Sequence, residues 1–509
     1  MWHNLARFPN NFVWLSVSTI AARLARLRAG GAVTRWQVLG VAVICLAAFN
    51  LTYRLSAERV TEWDESLYAV TAFEILQSHD WVATTSHGVL DYSNSKPPLN
   101  AWLIALSTQT FGVGLISLRL ASILAAWLTV VVLLVWACRR FGTAAGIWSA
   151  LVLATCFGFL HVHSGRSANP DALLTLLLFL IVIVLEAAGA RPWRRVWLGP
   201  LIAGVFMLKG MAILLPIVLV AFMEWRWSFS WRQRWLPLAA AGMIAVLLIG
   251  PWAVARWQVD RTAFFERIVF QDLVALSTTP LDDQRGAPWF YLNILQKHHY
   301  AWIAAVLIAM ILFPPAPFER AARRLMFWKS ADDRIAVVGA WAVIALVIPT
   351  LMQTKLPWYL NPFYPMFALG TGCALAYAFT RAHENTRRWR VLVVVVVIAA
   401  ATAEAKLIYY SYVWRNLDSS AQAVLLMEAD RLRGARVFRG GWDGADAFVL
   451  EFMIRGERAY TADVDDFVLR GSPNDYLVAE QDLAHKKLER VSRCGRYGLF
   501  RKRHTERQR

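Results

Sequence analysis

The sequence is short of charge, shorter still of acid, and nearly without cysteine. Only 17% of its 509 residues are charged, against about 25% in an ordinary soluble domain. With 58% hydrophobic residues, too little polar side chain remains to cover a wholly soluble enzyme. Disorder is excluded, because disordered segments are polar and charge-rich. Of five cysteines, Cys45, Cys138, Cys156 and Cys373 lie in apolar runs and Cys494 stands alone near the C-terminus. Their spacing fits neither a zinc site nor a disulfide framework. Internal repeats and low-complexity tracts are absent. A cleavable signal is missing as well. Phe12 to Ala22 is apolar, but Arg23, Arg26, Arg28 and Arg35 follow it, on the wrong side. Segment 1–35 reads instead as a basic interfacial stretch on the cytoplasmic face. The shortage of acid, 35 Asp+Glu against 53 Lys+Arg, leaves a net charge of +18.

What the chain has is apolar length. A membrane span takes about 20 apolar residues. Candidates are 36–56, 116–138, 144–162, 171–189, 235–255, 300–316, 335–352, 359–380 and 390–411. The stretch 196–224 is apolar except for Lys209-Gly210 at its centre, and reads as two short spans, 196–208 and 211–224, meeting at a tip. Eleven spans result. With the N-terminus inside, the basic residues gather in 1–35, Arg139-Arg140, 190–195, 225–234, 317–334 and 381–390, as cytoplasmic loops require. The loops on the other side are slightly acidic. This topology makes 98–111 an interfacial helix, because a span there would place Arg139-Arg140 outside. The 25 Trp fit interfacial belts. From 413 the hydropathy collapses. Helix-like stretches (Ser419 to Leu432, Glu480 to Leu488) alternate with strand-like ones (Arg436 to Phe438, Tyr476 to Ala479, Tyr497 to Phe500), which predicts a small α/β domain on the outer face. The Arg-Lys-Arg-His run at 501–504 reads as a solvated tail. The fold expectation is an all-α polytopic membrane domain over 36–412 and an α/β periplasmic domain over 413–509. Most of the excess charge is cytoplasmic arginine that sets orientation, so nucleic-acid binding has no support.

Charge at membrane depth is expensive and marks functional candidates. Here it collects at the outer face. Asp64-Glu65, followed by Tyr68, offers two carboxylates for base or ligand work, or an acidic first turn of a helix. Tyr92 to Leu99 contains Lys96-Pro97-Pro98, where a lysine fixed beside a helix start is a point charge for phosphate or a snorkelling side chain. His161, His163, Arg166 and Asn169-Pro170-Asp171 precede a long span, and two histidines without a third ligand read more readily as hydrogen-bonded residues than as a metal site. Lys209 sits at the hairpin tip. Lys355 to Pro365, with three prolines and four aromatics that include Trp358 and Tyr359, forms a rigid rim. Four cations (Lys96, Arg166, Lys209, Lys355) and three acids (Asp64, Glu65, Asp171) therefore map to one side. A cationic pocket at headgroup level implies an anionic lipid ligand, and nearby acids imply proton transfer or a metal.

Asp64-Glu65, Lys96-Pro97-Pro98-Leu99, Asn169-Pro170-Asp171, Leu208-Lys209-Gly210 and Lys355 to Pro365, in this order, resemble the GT-C membrane glycosyltransferases. Their nearest likeness is to bacterial aminoarabinose lipid A transferases and protein O-mannosyltransferase-like proteins, over roughly residues 40–365. The resemblance implies that Asp64 is the catalytic or acceptor-orienting carboxylate, with Glu65 and Asp171 at the same pocket. It implies that Lys96 binds the phosphate of a polyprenyl-phosphate sugar, helped by Arg166, Lys209 and Lys355, and that Tyr68, Tyr92, Trp358 and Tyr359 contact sugar or acceptor. Two positions depart from the family pattern. Ser95 stands where a glutamate is usual, and no histidine occurs across Phe264 to Asp272. Both family residues are metal-associated, so a divalent metal is left open. The expected function is inverting transfer of a hexose or pentose from a polyprenyl-phosphate donor to an envelope lipid, glycan or protein, at the outer face of a bacterial inner membrane. Its rivals are a lipid-linked-sugar transporter or flippase, a lipid-binding scaffold, and a glycan polymerase or ligase.

Overall fold

A computed structural model describes residues 35–503, apart from 93, 95, 271–273, 275–277, 280–283, 315–331, 481 and 482. The expected basic segment thus lies, but for Arg35, outside the described residues. The membrane domain is a helical bundle. Helix α1 (Arg35–Thr52) leads into the first loop, where α2 (Asp64–Ser78), a short hairpin β1 (Thr85–Ser86) and β2 (Val89–Leu90), and α3 (Leu99–Phe111) lie at one end. Then come α4 (Leu115–Arg140), α5 (Thr143–Ala154), α6 (Phe157–His161) and α7 (Asp171–Ala188). The broken pair α8 (Leu198–Lys209) and α9 (Leu214–Arg226) follows, then α10 (Trp231–Asp260), α11 (Ala263–Val269), α12 (Phe290–Leu312), α13 (Asp333–Leu351), α14 (Tyr364–Ala382) and α15 (Thr386–Val413).

Every expected span falls on helix, and the helix over 98–111 is present as α3. Among the described residues, eight stretches are long and apolar enough to cross a membrane by length and composition, with the α8–α9 pair counting as one. Two boundaries differ from expectation. The segment 144–162 is not one helix. Its α-helical part stops at Ala154, Cys156 is extended, and α6 is a separate turn. The segment 300–316 begins ten residues earlier, at Phe290, with a kink at His299. Between α8 and α9 the tip is real. Gly210 has φ +39°, which favours glycine, and a Cβ there would lie 3.0 Å from Ile268 and 3.8 Å from Pro97.

The basic loops converge at the opposite end of the bundle, as the topology requires. Arg195 pairs with Glu224 there, Arg226 with Asp333 at 3.2 Å, and Arg140 with Glu186 at 3.2 Å. The Arg195–Glu224 pair joins the foot of α8 to the foot of α9, which closes the hairpin below its tip.

The C-terminal domain comprises α16 (Gln422–Met427), α17 (Ala429–Leu432), β3 (Arg436–Arg439), α18 (Gly444–Phe448), β4 (Glu457–Tyr460), α19 (Val464–Arg470), β5 (Tyr476–Glu480), β6 (Leu488–Cys494) and β7 (Tyr497–Lys502). Its sheet has the order β4-β3-β5-β7-β6, parallel on either side of β3 and antiparallel from β5 onward. Two expectations fail here. The described part of Glu480 to Leu488, Glu480 and 483–488, is not helical, because β5 ends at Glu480 and residues 483–487 lead into the β6–β7 hairpin. Helix propensity is a weak prior that strand pairing overrides. Arg501 and Lys502 are not a tail but the end of β7, with Arg501 paired to Glu489 across the hairpin; His504 lies outside the described residues.

The domain docks on the first loop through one shared core. Phe73 of α2 stands edge-on to Phe448 at 5.4 Å and Phe452 at 5.9 Å. Tyr68, Leu118, Val424, Leu425 and Leu450 are buried in the same cluster. Aromatic pairs of this geometry add about 0.5–1.5 kcal/mol beyond area burial. Val60 N–H donates to Gln422 Oε1 at 2.8 Å, and Gln422 Nε2 donates back to Val60 O at 3.0 Å.

Candidate active site

Five chain segments meet at the domain end of the bundle. Helix α2 starts at Asp64 after Trp63, whose φ of +64° turns the chain sharply into the helix. The loop before α3 is pinned by Asn94 N–H on Asp91 Oδ1 at 3.1 Å and Lys96 N–H on Asn94 Oδ1 at 3.4 Å, and Pro97-Pro98 fixes the entry to α3. The turn from His163 to Pro170 delivers Asp171 to the first turn of α7, where a carboxylate complements the helix dipole. The hairpin tip brings Lys209. A 3-10 turn, Pro357–Phe363, brings Trp358 and Tyr359.

Lys209 Nζ lies 2.7 Å from Asp171 Oδ1 and 5.5 Å from the centre of the Tyr359 ring. Asp64 Oδ2 lies 3.6 Å from His163 Nδ1. The His163 ring stacks on Trp358, centroids 3.7 Å apart and planes 17° from parallel, and His163 Nδ1 is 3.1 Å from Asn169 Nδ2. Burial, reinforced by the positive charges of Arg415 and Lys209, pushes His163 down to about 3. The imidazole is neutral at physiological pH, so its contact with Asp64 is not an ion pair, and Nδ1 accepts from the Asn169 amide. Asp64 and Lys96 are both close enough to act electrostatically on Asp171. Six of the eleven expected residues therefore come together: Asp64, Lys96, Asp171, Lys209, Trp358 and Tyr359. The Asp64 side chain is 46% exposed, open to a reactant.

The other five serve the frame. Glu65 is fully buried. It takes Arg119 Nε at 2.7 Å and Nη2 at 3.2 Å, and accepts from Thr61 N, Thr61 Oγ1 and Ala168 N at 2.9, 3.0 and 3.0 Å. Burial alone would raise its pKa, but Arg119 and these donors hold it down at about 2. Arg166 pairs with buried Glu58 at 2.5 Å and donates to the last carbonyls of α1, Asn50 O at 2.6 Å and Tyr53 O at 2.7 Å. Lys355 Nζ donates to Pro349 O at 3.3 Å and to Thr350 O and Met352 O, closing the end of α13. Tyr68 is in the docking core. Tyr92 is directed at Asp260, and burial, with that contact, raises its hydroxyl pKa. Sequence reasoning missed Arg119, Glu58 and Arg415, which with Glu65 and Arg166 form a buried charge network under the loop. Arg119 carried a signal, an arginine near the start of an apolar span. Glu58 and Arg415 carried none.

The donor set does not suit a divalent metal. Asp171 is taken up by Lys209, which leaves Asp64 and His163, and among the described residues no group of three His, Cys, Asp or Glu is placed to hold an ion. A site with lysines gathered about Asp171, an aromatic wall and a separate, half-exposed carboxylate can hold a phosphate at the ammonium groups and accept a proton at Asp64.

Comparisons with known proteins bear on this arrangement. A family profile described as dolichyl-phosphate-mannose-protein mannosyltransferase matches residues 95–254. An undecaprenyl phosphate-alpha-4-amino-4-deoxy-L-arabinose arabinosyl transferase of Pseudomonas savastanoi pv. phaseolicola is 31% identical over 359 residues, 69% of this chain and 63% of that one. The Pseudomonas paraeruginosa protein of the same description is 29% identical over 348 residues, 67% and 60% of the two chains. The chain thus spans about three fifths of the length of these relatives. The crystal structure of ArnT from Cupriavidus metallidurans bound to undecaprenyl phosphate superposes with a TM-score of 0.65 over 92% of this chain and 98% of that one, at 18% identity. Its apo form gives 0.63. At that identity the likeness speaks for the fold. Fold, family profile and sequence relatives agree, and the chain is similar to the GT-C, aminoarabinose lipid A transferase-like family of multi-pass membrane proteins.

Proposed function

We propose that the protein is a glycosyltransferase that moves a sugar from a polyprenyl-phosphate donor to a cell-envelope acceptor, with the site on the periplasmic face of the inner membrane and the N-terminus in the cytoplasm. The observation that carries this reading is the pairing of Lys209 with Asp171 under Tyr359, opposite a half-exposed Asp64. Lys96 and Lys209 receive the donor phosphate, whose second negative charge develops as the bond to the sugar breaks, and fixed cations stabilise that charge. Asp64 accepts the proton of the acceptor hydroxyl while its oxygen attacks the anomeric carbon from the face opposite the phosphate. One C–O bond forms, one breaks, the proton rests on Asp64, and polyprenyl phosphate leaves. Inversion at the anomeric carbon follows. Trp358, stacked on His163, and Tyr359 wall the sugar site. The relatives' description makes a 4-amino-4-deoxypentose on undecaprenyl phosphate the first donor to test, and the resemblance to aminoarabinose lipid A transferases makes lipid A the first acceptor. No relative favours the transporter reading.

The test compares envelope lipids and glycans by mass in a deletion strain, a complemented strain and an Asp64→Asn strain. A pentose or hexose increment is expected in the complemented strain alone. General-base help is worth about 10²–10⁴-fold, so purified Asp64→Asn protein transfers at that fraction of the wild-type rate. Transfer near the wild-type rate by this variant would overturn the assignment.

A further inference from the structure

The C-terminal sheet has a feature that the transferase reading does not use. From β3, the middle of three parallel strands, the chain crosses to β4 on one side, and from β4 to β5 on the other. Ligand sites in such sheets lie outside the carboxyl ends of the strands, where the connections diverge. A crevice of about 330 Å³ lies there, lined among others by Arg439, Gly440, Gly441, Asp463, Glu480 and Tyr497.

We propose that this crevice is a saccharide subsite that holds a distal sugar unit of the acceptor while its reacting end reaches Asp64. Its chemistry selects a donor-rich ligand. The Arg439 guanidinium is paired with Asp446 and lies 5.5 Å from the Tyr497 ring and 5.8 Å from that of Trp442. The Thr461 hydroxyl is committed to Asp463 O at 2.6 Å and Asp466 Oδ2 at 3.0 Å. The charge left at the mouth is that of Asp463 and Glu480, both exposed, and ionised carboxylates only accept hydrogen bonds. They attract hydroxyl and ammonium groups and repel phosphate. The half-buried Tyr497 ring and the wall of Val464 and Ala479 supply an apolar face. Hydroxyl-rich edges around an apolar ring face describe an unphosphorylated sugar unit.

Position gives the crevice its role, and that role rests on the transferase reading. The loop that leaves β3 along the crevice runs through Gly441 to Gly444, where α18 packs on α2, and a Cβ at Gly444 would lie 3.4 Å from Ser66 Oγ. Ser66 is two residues from Asp64. Three residues of chain reach at most about 11 Å and the two from Ser66 to Asp64 at most about 7 Å, so with the Gly444–Ser66 contact the crevice opens within about 25 Å of the reacting carboxylate, the reach of a short acceptor oligosaccharide.

The test uses the full-length protein in nanodiscs. Binding of chitosan tetraose, maltotetraose and glucose 6-phosphate is measured by saturation-transfer NMR and titration, without turnover. A Cβ at Gly441 meets nothing within 4 Å, so Gly441→Leu fills the crevice without strain, and Glu480→Ala removes a rim acceptor. The unphosphorylated saccharides are expected to bind, Gly441→Leu and Glu480→Ala to weaken them about tenfold, as loss of one good contact does, and glucose 6-phosphate not to compete. Asp64→Asn should bind as wild type does. In the transfer assay Gly441→Leu should raise the acceptor KM with kcat within about twofold. Equal binding of the phosphorylated sugar, or binding untouched by both variants, overturns the subsite. Saccharide binding lost in the variants with an unchanged acceptor KM overturns its acceptor role alone. Saccharide binding without any transfer by the wild-type protein overturns the transferase reading and leaves the subsite standing.

Discussion

Two adjacent carboxylates should respond to the same isosteric change in opposite ways. Asp64→Asn alters a side chain that is 46% exposed and touches His163 at 3.6 Å. Surface changes of this kind stay within about 0.5 kcal/mol, so its unfolding curve should overlay the wild type while transfer falls about 10²–10⁴-fold. Glu65→Gln keeps shape and volume but removes the charge that Arg119 and three further hydrogen bonds enclose at 0% exposure. The three guanidinium groups of Arg119, Arg166 and Arg415 would then face Glu58 alone. Removing one partner of a buried pair costs about 3–5 kcal/mol. The amide also presents an N–H₂ to groups that need an acceptor. The assay is denaturant unfolding in nanodiscs by tryptophan fluorescence, with transfer measured on the same preparations by product mass. If Glu65→Gln unfolds with the wild type, or if Asp64→Asn is the one that loses stability, the division of roles drawn from burial is wrong.

Lys209→Met should raise the donor KM about 10–100-fold, the worth of one hydrogen bond to a charged group; an unchanged donor KM would remove Lys209 from the phosphate site. Asp171→Asn frees Lys209 from its resting partner, so the inhibition constant of polyprenyl phosphate should fall and product release should slow, and weaker product binding would contradict that. Lys355→Met uncaps the end of α13 at a cost of about 1–3 kcal/mol and should leave the donor KM within twofold; a rise like that of Lys209→Met would return Lys355 to the site. For pH, His163 sits at about 3 in the fold against its ordinary 6.5, so as pH falls below 6.5 the unfolded chain takes up the proton first and stability drops from there toward pH 3. Glu65, held at about 2 against 4.5, adds a second loss below pH 4.5. His163→Gln should flatten the stability slope between pH 7 and 5, and an unchanged slope would count against the buried neutral imidazole.

Much of the frame was legible because two physical patterns are written in sequence without reference to contacts. Apolar length marked the spans, the break at Lys209-Gly210 marked a tip, and arginine asymmetry indicated which ends lie together and made 98–111 read as an interfacial helix. The strands at Arg436, Tyr476 and Tyr497 were visible as apolar runs between turns. What failed was whatever depended on partners. Residues 64 and 65 stand about 100° apart around a helix, so one faces the site and the other the core, but α2 is buried over most of its length and its pattern does not say which. Glu480 to Leu488 has helical propensity and becomes the approach to a hairpin, because β7 offers β6 a partner.

The cations divide by what the helix ends require. Arg166 lies on the last carbonyls of α1 and Lys355 on those of α13, where a positive side chain satisfies orphan acceptors and the dipole at once. Lys209 also ends a helix, α8, yet its ammonium turns away from its own carbonyls to Asp171 at the first turn of α7. The pair joins a cation at one C-terminus to an anion at an N-terminus, so both charges are favoured in place before any ligand arrives. Of the Lys and Arg residues expected at the site, Lys209 has an ammonium in direct contact with one of the expected acids. In the proposed transfer, a phosphate entering beside Lys96 would find this lysine already positioned but bound to a single carboxylate, and would displace that carboxylate in exchange for a group with more charge, most of all once the sugar bond had broken; the partner exchange at Lys209 would then be the step through which charge on the leaving phosphate is felt by the fold.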